Sequence, residues 1–174
     1  MRKLLYITLC VCTALACSEK VWIEDLVEME KDKVRGRYDL ESAVWEGESI
    51  DLNGDGVFTN DYYAEYGVQE DEFQGTFSDQ VSIGVPVMSV WGHDEWRRVE
   101  KGSEYVKFRY DVSINGSKSS LNFRINDGIT DFTLVENGKV SFRKEITVYT
   151  GSGTDITDAT ATVLFTYKRI KYYR

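Results

Sequence analysis

The chain has 174 residues and a formal charge of −8 at pH 7, with 21 basic and 29 acidic side chains. This length fits one domain that buries most of its apolar surface without disulfides or metal ions to staple it. Nucleic acids and anionic lipid surfaces repel a chain this acidic. The composition therefore argues against a nucleic-acid partner and favours one globular domain.

The first seventeen residues, MRKLLYITLCVCTALAC, are organised like a secretory signal. Arg2 and Lys3 form a basic start, Leu4 to Leu15 form an apolar run, and small residues follow. The run is shorter than the roughly 18 to 20 apolar residues that a membrane-spanning helix needs. We therefore expect residues 1–16 to be a signal peptide that is removed.

The ending Ala14-Leu15-Ala16-Cys17 resembles the bacterial lipobox, in which the cysteine is acylated and the chain is cut before it. The resemblance implies lipidation at Cys17 and a membrane partner reached through that anchor. Ser18 is the residue that this resemblance associates with transport to the outer membrane. The predicted location is the cell envelope, with the periplasmic face and the cell surface both open. The alternative is ordinary secretory cleavage with a free thiol at Cys17.

Residues 17–33 are predicted to form a lipidated tether that includes a short amphipathic helix. Apolar side chains recur near the helical period within a charged background: Val21, Trp22, Leu26, Val27 and Met29. We expect this helix to pack across an open end of the domain. The alternative is a partner-binding helix at the membrane surface.

From Arg35 onward the hydrophobic pattern changes to period two, which indicates β-strands. The clearest case is EYVKFRYDVSIN, in which apolar residues from Val106 to Ile114 alternate with polar ones. Eight or nine such segments, DEWRRVEK at 94–101 among them, are separated by turn signals. The pattern predicts an all-β antiparallel meander that closes into an eight- to nine-strand barrel over residues 34–174. A two-sheet β-sandwich has the same pattern and is the alternative.

Two stretches resemble lipocalin-like domains of bacterial envelope lipoproteins. They are VRGRYDLESAVWEGESIDLNGDGVFTNDYYAEY, with Gly36 and Tyr38 at a strand start, and the closing LFTYKRIK. Tyr38 stands where the lipocalin signature has Trp. The resemblance implies a barrel of about eight strands around an apolar interior that would suit a small apolar or glycan ligand. Trp45, Trp91 and Trp96 are candidate ligand contacts, although aromatic side chains also fill ordinary β cores.

The segment DLNGDGVFTND, residues 51–61, resembles a calcium loop. An EF-type loop needs oxygen ligands at positions 1, 3, 5, 7 and 9, glycine at position 6 and an acid at position 12. Tyr62 stands at position 12, with Asp61 one place early and Glu65 further along. The predicted ligands of a structural calcium ion are Asp51, Asn53, Asp55, the Val57 carbonyl, Thr59 and Asp61. The alternative is an Asx-rich turn whose carboxylates bind backbone amides.

The sequence has no motif of a known catalytic type. It lacks the G-x-S-x-G nucleophile turn, and its single histidine, His93, has no cysteine partner for a zinc site. We therefore predict no catalytic residues. Two functions remain: a lipid-anchored lipocalin-like protein that binds a small ligand, or a non-catalytic structural or protein-interaction module with a filled core. An enzyme would require carboxylates that converge in a pocket.

Overall fold

The computed structural model describes residues 23–67, 74–77, 81–116, 118–125, 128–135 and 138–171. The predicted signal peptide, the lipidation site at Cys17 and the start of the tether lie outside these residues. Neither helix of the described residues has the length and apolar character of a membrane span.

The described residues form mainly strands, with two short helices and two one-turn 3₁₀ segments. The helices are α1 (Ile23–Asp32) and α2 (Tyr62–Tyr66). The strands are β1 (Gly36–Trp45), β2 (Gln74–Phe77), β3 (Val81–Trp91), β4 (Arg98–Asn115), β5 (Lys118–Ile125), β6 (Ile129–Val135), β7 (Lys139–Thr150) and β8 (Thr157–Lys171). The 3₁₀ segments are Asp94–Trp96 and Gly153–Asp155.

The prediction of an all-β fold is confirmed. Val106, Phe108 and Tyr110 are buried, and the residues between them are exposed, as the alternation in EYVKFRYDVSIN indicates. The segment DEWRRVEK is not a separate strand, which corrects the sequence-based prediction. Its first three residues form a 3₁₀ turn, and the remainder continues into β4, which is 18 residues long.

The strands form one antiparallel ladder in the order β5-β4-β3-β2-β1-β8-β7-β6. Consecutive strands pair from β1 to β5 and from β6 to β8, and β8 returns to pair with β1. The ladder folds over so that β3 faces β7, which gives two antiparallel sheets around the core. This arrangement fits the sandwich alternative.

The prediction of a closed barrel is wrong, because β5 and β6 do not pair. The gap between these two edge strands is called the β5–β6 seam. The register of β6 shifts around Asp131, whose φ of 53° lies in the left-handed region. A bulge of this kind bends a strand and interrupts its ladder. The ring of Phe132 lies 4.9 Å from that of Phe108 and 4.5 Å from that of Phe123. Side-chain packing therefore joins the two sheet edges in place of hydrogen bonds.

Large aromatic side chains fill the space between the sheets. The fully buried ones are Tyr38, Trp45, Tyr62, Phe108, Phe142, Phe165 and Tyr167. Tyr167 Oη donates to Gly84 O at 2.5 Å, and Tyr62 Oη donates to Pro86 O at 3.2 Å. Burial raises the pKa of both tyrosines, so both hydroxyls remain protonated donors.

The predicted short N-terminal helix is present, but its inward face differs from the prediction. α1 contacts β4 and β5, and its buried side chain is Glu30, while Leu26 and Val27 are half-buried and Met29 is exposed. Glu30 Oε1 accepts from Lys33 Nζ at 2.5 Å and from Ser119 Oγ at 2.7 Å. A hydrogen-bonded carboxylate therefore holds α1 against the sheet.

Candidate metal centre

Residues 46–61 form a loop that leaves the end of β1 and returns beside it. Ile50 and Thr59 form an isolated antiparallel bridge with N–O distances of 3.0 and 2.9 Å. Asn60 Nδ2 donates to Trp45 O at 2.7 Å and to Gly47 O at 2.9 Å. The bridge and the amide bonds fix both ends of the predicted calcium segment.

Within loop 51–61, polar side chains bind the loop's own backbone. Asp51 accepts from Gly54 N at 2.8 Å and from Gly56 N at 3.0 Å. Asn53 Oδ1 accepts from Asp55 N at 2.9 Å, and Asp55 Oδ1 accepts from the amide two residues further along at 2.7 Å. These bonds are those of the Asx-turn alternative, and they orient all three side chains toward the loop.

The two glycines of the loop are required by backbone conformation. Gly54 has a φ of 74° and Gly56 a φ of 83°, a region that residues with a Cβ rarely adopt. No heavy atom lies within 4 Å of a Cβ built on either residue, so a lack of room for a side chain is not the reason for glycine at these positions. Gly56 occupies position 6, where a calcium loop needs a sharp turn.

The hydrogen bonds leave acceptor capacity on the three side chains. A carboxylate offers about four lone-pair positions and an amide oxygen two. Asp51 and Asp55 each use two, if the 3.2 Å bond from Asn53 Nδ2 to Asp55 Oδ2 is included. Asn53 Oδ1 uses one. All three groups could therefore accept a cation as well as their amide donors.

The two acids that sequence analysis left open have different positions. Asp61 is exposed and caps α2, since its Oδ1 accepts from Ala64 N at 3.1 Å. Glu65 is 2% exposed, and its Oε2 accepts from Leu52 N at 2.8 Å and from Asn53 N at 3.3 Å. Glu65 therefore lies against the loop, whereas the carboxylate of Asp61 serves the helix.

Among the described residues, no group of three or more His, Cys, Asp or Glu side chains is placed to hold a metal ion. Calcium also accepts amide, hydroxyl and backbone oxygens. The predicted set supplies these through Asn53, Thr59 and the Val57 carbonyl. Thr59 Oγ1 already accepts from Asp61 N at 3.1 Å, which keeps the hydroxyl on the loop.

The three candidate tryptophans do not share a site. Trp45 is 2% exposed, its Nε1 donates to Glu48 O at 2.9 Å, and its ring stacks on Tyr62 with centroids 6.1 Å apart. Trp91 and Trp96 are 63% and 83% exposed at the tip between β3 and β4. Trp45 is therefore a core residue that braces the loop, and the other two belong to the surface.

The β3–β4 and β7–β8 tips share a backbone conformation that sequence analysis missed. Gly92 and Gly151 have φ of 94° and 92°, and a Cβ on either would lie 2.5 or 2.3 Å from the carbonyl oxygen four residues further along. Each 3₁₀ turn then starts with a left-handed residue, Asp94 at 51° and Gly153 at 58°. Gly153 N donates to Arg97 O at 2.9 Å, so the tips brace each other.

Two clefts flank loop 51–61 at this end of the fold. One, of about 340 Å³, lies between the loop, the β3–β4 hairpin and the end of β7, and Met88 and Lys101 are among its lining residues. The other, of about 320 Å³, lies between the loop and the β7–β8 hairpin, beside Phe58. Asp51 and Leu52 line both clefts, so the loop is their shared wall.

Comparison with known proteins gives no family assignment. No family model matches the chain, and neither a curated protein nor a solved structure matches it. The resemblance to lipocalin-like lipoproteins therefore stays a prediction from the sequence.

Proposed function

We propose that the chain is a non-catalytic, lipid-anchored protein of the bacterial cell envelope that binds through its loop end and holds a structural calcium ion in loop 51–61. The observation that carries the proposal is the arrangement of polar side chains in this loop. Asp51, Asn53 and Asp55 lie at alternate positions around two left-handed glycines, next to the buried carboxylate of Glu65.

Charge repulsion supports a cation in this loop. Asp51 and Asp55 lie four residues apart in a tight turn, and Glu65 approaches the same backbone from the interior. Calcium takes six to eight oxygen ligands in flexible geometry, so a loop without an acid at position 12 can still bind it. In this proposal Asp51, Asn53, Asp55, the Val57 carbonyl and Thr59 supply ligands, and Glu65, rather than the predicted ligand Asp61, completes the acidic side of the site.

Calorimetric calcium titration of the chain from Ser18 tests the metal proposal. We expect saturable heat with a dissociation constant of about 10⁻⁴ to 10⁻³ M, the range common for extracellular modules. At a calcium concentration ten times this constant, the fold should gain about 1.4 kcal/mol. Asp51→Ala/Asp55→Ala should lose both effects, and Glu48→Ala/Glu95→Ala, which removes two exposed acids elsewhere, should keep them. Heat that persists unchanged in the loop variant would refute the site.

The lipid anchor rests on the residues before Cys17. Ala14 and Ala16 are small residues just before the expected cut, and a basic and apolar signal precedes them. Metabolic labelling with a tagged fatty acid tests the anchor. The wild-type chain should incorporate the label and fractionate with membranes, whereas Cys17→Ser should do neither. An unlabelled wild-type chain would leave ordinary secretion as the explanation.

The packing of the interior favours binding at the surface. Seven large aromatic side chains are fully buried in the core, so within the described residues we take the exposed Trp91 and Trp96 and the two clefts beside loop 51–61 as candidate binding surfaces. The strand order, with β1 paired to β8, is that of an up-and-down barrel opened between β5 and β6. We therefore retain a relationship to lipocalin-like domains as part of the proposal.

A small apolar or glycan ligand is the second candidate, because two clefts meet at loop 51–61. Titration with an apolar fluorescent probe and with neutral oligosaccharides would detect it. Cleft binding predicts that Leu52→Asp abolishes the signal and Trp96→Ala leaves it intact. The reverse pattern would assign the binding to the exposed tip, and silence from every probe would favour a protein-interaction role.

A further inference from the structure

We propose that loop 51–61 contains a self-modification site, at which Asn53 converts to aspartate or isoaspartate through a cyclic imide formed with the backbone nitrogen of Gly54. The proposal requires no metal and no second protein. It rests on two hydrogen bonds that match two tasks of the reaction, removal of the proton from Gly54 N and stabilisation of the charge that develops on Asn53 Oδ1.

Each of these bonds places a group where the reaction needs it. Gly54 N, the nucleophile, donates to Asp51 Oδ1 at 2.8 Å, so a carboxylate is in place to take the proton that must leave. Asn53 Oδ1 accepts from Asp55 N at 2.9 Å, and this donor can stabilise the negative charge that develops on the oxygen. Asn53 Nδ2, the leaving group, donates to Asp55 Oδ2 at 3.2 Å, which orients the amide, and the proton it needs to leave comes from Asp51.

The reaction is a redox-neutral acyl transfer. Gly54 N gives its proton to Asp51 and forms a bond to Cγ of Asn53. The Cγ–Nδ2 bond then breaks, and the amide nitrogen leaves as ammonia after it takes up the proton. Water opens the imide at either carbonyl, which yields aspartate or isoaspartate at position 53. The net change consumes one water and releases one ammonia.

The surroundings of the loop permit each step. Asn53 and Gly54 are exposed, so water reaches the imide. The ideal Cβ position of Gly54 has no heavy atom within 4 Å, so no residue beyond its chain neighbours crowds this position. The sequence offers a matched comparison in Asn115-Gly116, which is also exposed and has a left-handed glycine with φ of 63°. Within the described residues, no carboxylate accepts from Gly116 N.

The product changes the chemistry of the loop. Aspartate at position 53 would give carboxylates at 51, 53 and 55 and add one negative charge. The consequence for calcium rests on the proposed function: Asn53→Asp should bind calcium more tightly than wild type. The modification itself holds whether or not the loop binds calcium.

Peptide mass spectrometry of the full chain, aged at neutral pH in chelator, tests the inference. We expect the mass gain of amide-to-acid conversion at Asn53 to accumulate faster than at Asn115, by on the order of a hundredfold, the lower end of what a positioned base contributes. Asp51→Asn should slow conversion at Asn53, and Asp61→Asn, with the same charge change at the helix cap, should not. Equal rates at the two asparagines would overturn the proposal, as would faster conversion in Asp51→Asn.

A separate readout distinguishes failure of this inference from failure of the calcium proposal. If neither wild type nor Asn53→Asp gives heat with calcium, the metal proposal fails. The modification proposal is then still tested by the mass spectra recorded in chelator. If calcium binds and Asn53 remains intact, the modification proposal fails alone.

Discussion

Glu65 is the residue that connects loop 51–61 to the interior. It lies in α2, it is 2% exposed, and its carboxylate accepts the amides of Leu52 and Asn53. A buried carboxylate is unfavourable unless hydrogen bonds satisfy it, and these amides are unfavourable if their acceptor is removed. The loop and α2 should therefore be stable only together.

Glu65→Ala should destabilise the fold by about 1–3 kcal/mol, because it leaves the amides of Leu52 and Asn53 without their acceptor. Urea denaturation of wild type and variant measures the difference. Glu48→Ala removes an exposed carboxylate just before loop 51–61 and should have little effect. Equal unfolding free energies for the two variants would show that Glu65 does not hold the loop.

The contrast between Asp51 and Glu65 shows what local sequence can reveal. Asp51, Asn53 and Asp55 bind amides within five residues, so their spacing alone predicts the turn. Glu65 reaches back 13 residues to Leu52, and that contact depends on how α2 packs. A local sequence pattern could therefore not predict that Glu65 binds the loop. Asp61 is closer in sequence to the loop, but its carboxylate caps α2 instead.

At the scale of elements, the two hairpin tips form one braced unit across the loop end. They share a left-handed glycine followed by a 3₁₀ turn, and a backbone bond from Gly153 N to Arg97 O joins them. The 3₁₀ turn of the β7–β8 tip starts with a glycine, Gly153, whereas that of the β3–β4 tip starts with Asp94 in the same left-handed region. The tips therefore offer a paired test of backbone strain.

Gly153→Ala should destabilise the fold by about 1–2 kcal/mol, because a Cβ is disfavoured at a φ of 58°. Asp94→Gly removes the same strain from the other tip, so its stability should stay within about 1 kcal/mol of wild type. Thermal melts compare the two variants. A larger loss in Asp94→Gly than in Gly153→Ala would contradict the shared conformation.

The contact between α1 and the sheet should depend on pH through Glu30. Hydrogen bonds from Lys33 and then Ser119 lower the pKa of Glu30 below its ordinary value of 4.5. Its contribution is therefore fully present above pH 4.5 and is lost as the pH falls through the lower, folded-state pKa. Thermal melts should show wild type more stable than Glu30→Gln at neutral pH, with the gap closing in acid.

A gap that stays constant into acid would show that the charge of Glu30 plays no part. Glu24→Gln, at an exposed position of the same helix, is the control. Sequence analysis located α1 from its apolar residues but missed Glu30, because the partner Ser119 lies 89 positions away.

At the scale of the whole molecule, the open β5–β6 seam distinguishes the observed two-sheet arrangement from a closed barrel. Alternation along the strands predicted the meander and its antiparallel pairing. Closure of the seam depends on β6, where Asp131 adopts a left-handed conformation that a residue other than glycine rarely shows. The sequence carried no glycine there to indicate a bulge, so the closed barrel was the simpler prediction.

Phe132→Ala should destabilise the fold by about 2–3 kcal/mol, below the range for a fully buried phenylalanine, because Phe132 is half-buried. It should also speed amide exchange in β5 and β6, whose edges its ring joins. Phe58→Ala, at a 69% exposed position, makes the same chemical change and is the control. A similar loss of unfolding free energy in both variants would show that the packing of Phe132 does not join β5 and β6.

Residue-resolved amide hydrogen exchange with and without calcium tests the central claim most directly, because it locates the ion as well as detecting it. We predict slower exchange at the amides of residues 51–57, at Glu65 and at the rest of α2, with the β5–β6 seam unchanged. Unchanged exchange throughout loop 51–61, or protection confined to other parts of the chain, would contradict the account and leave the loop as an Asx-rich turn.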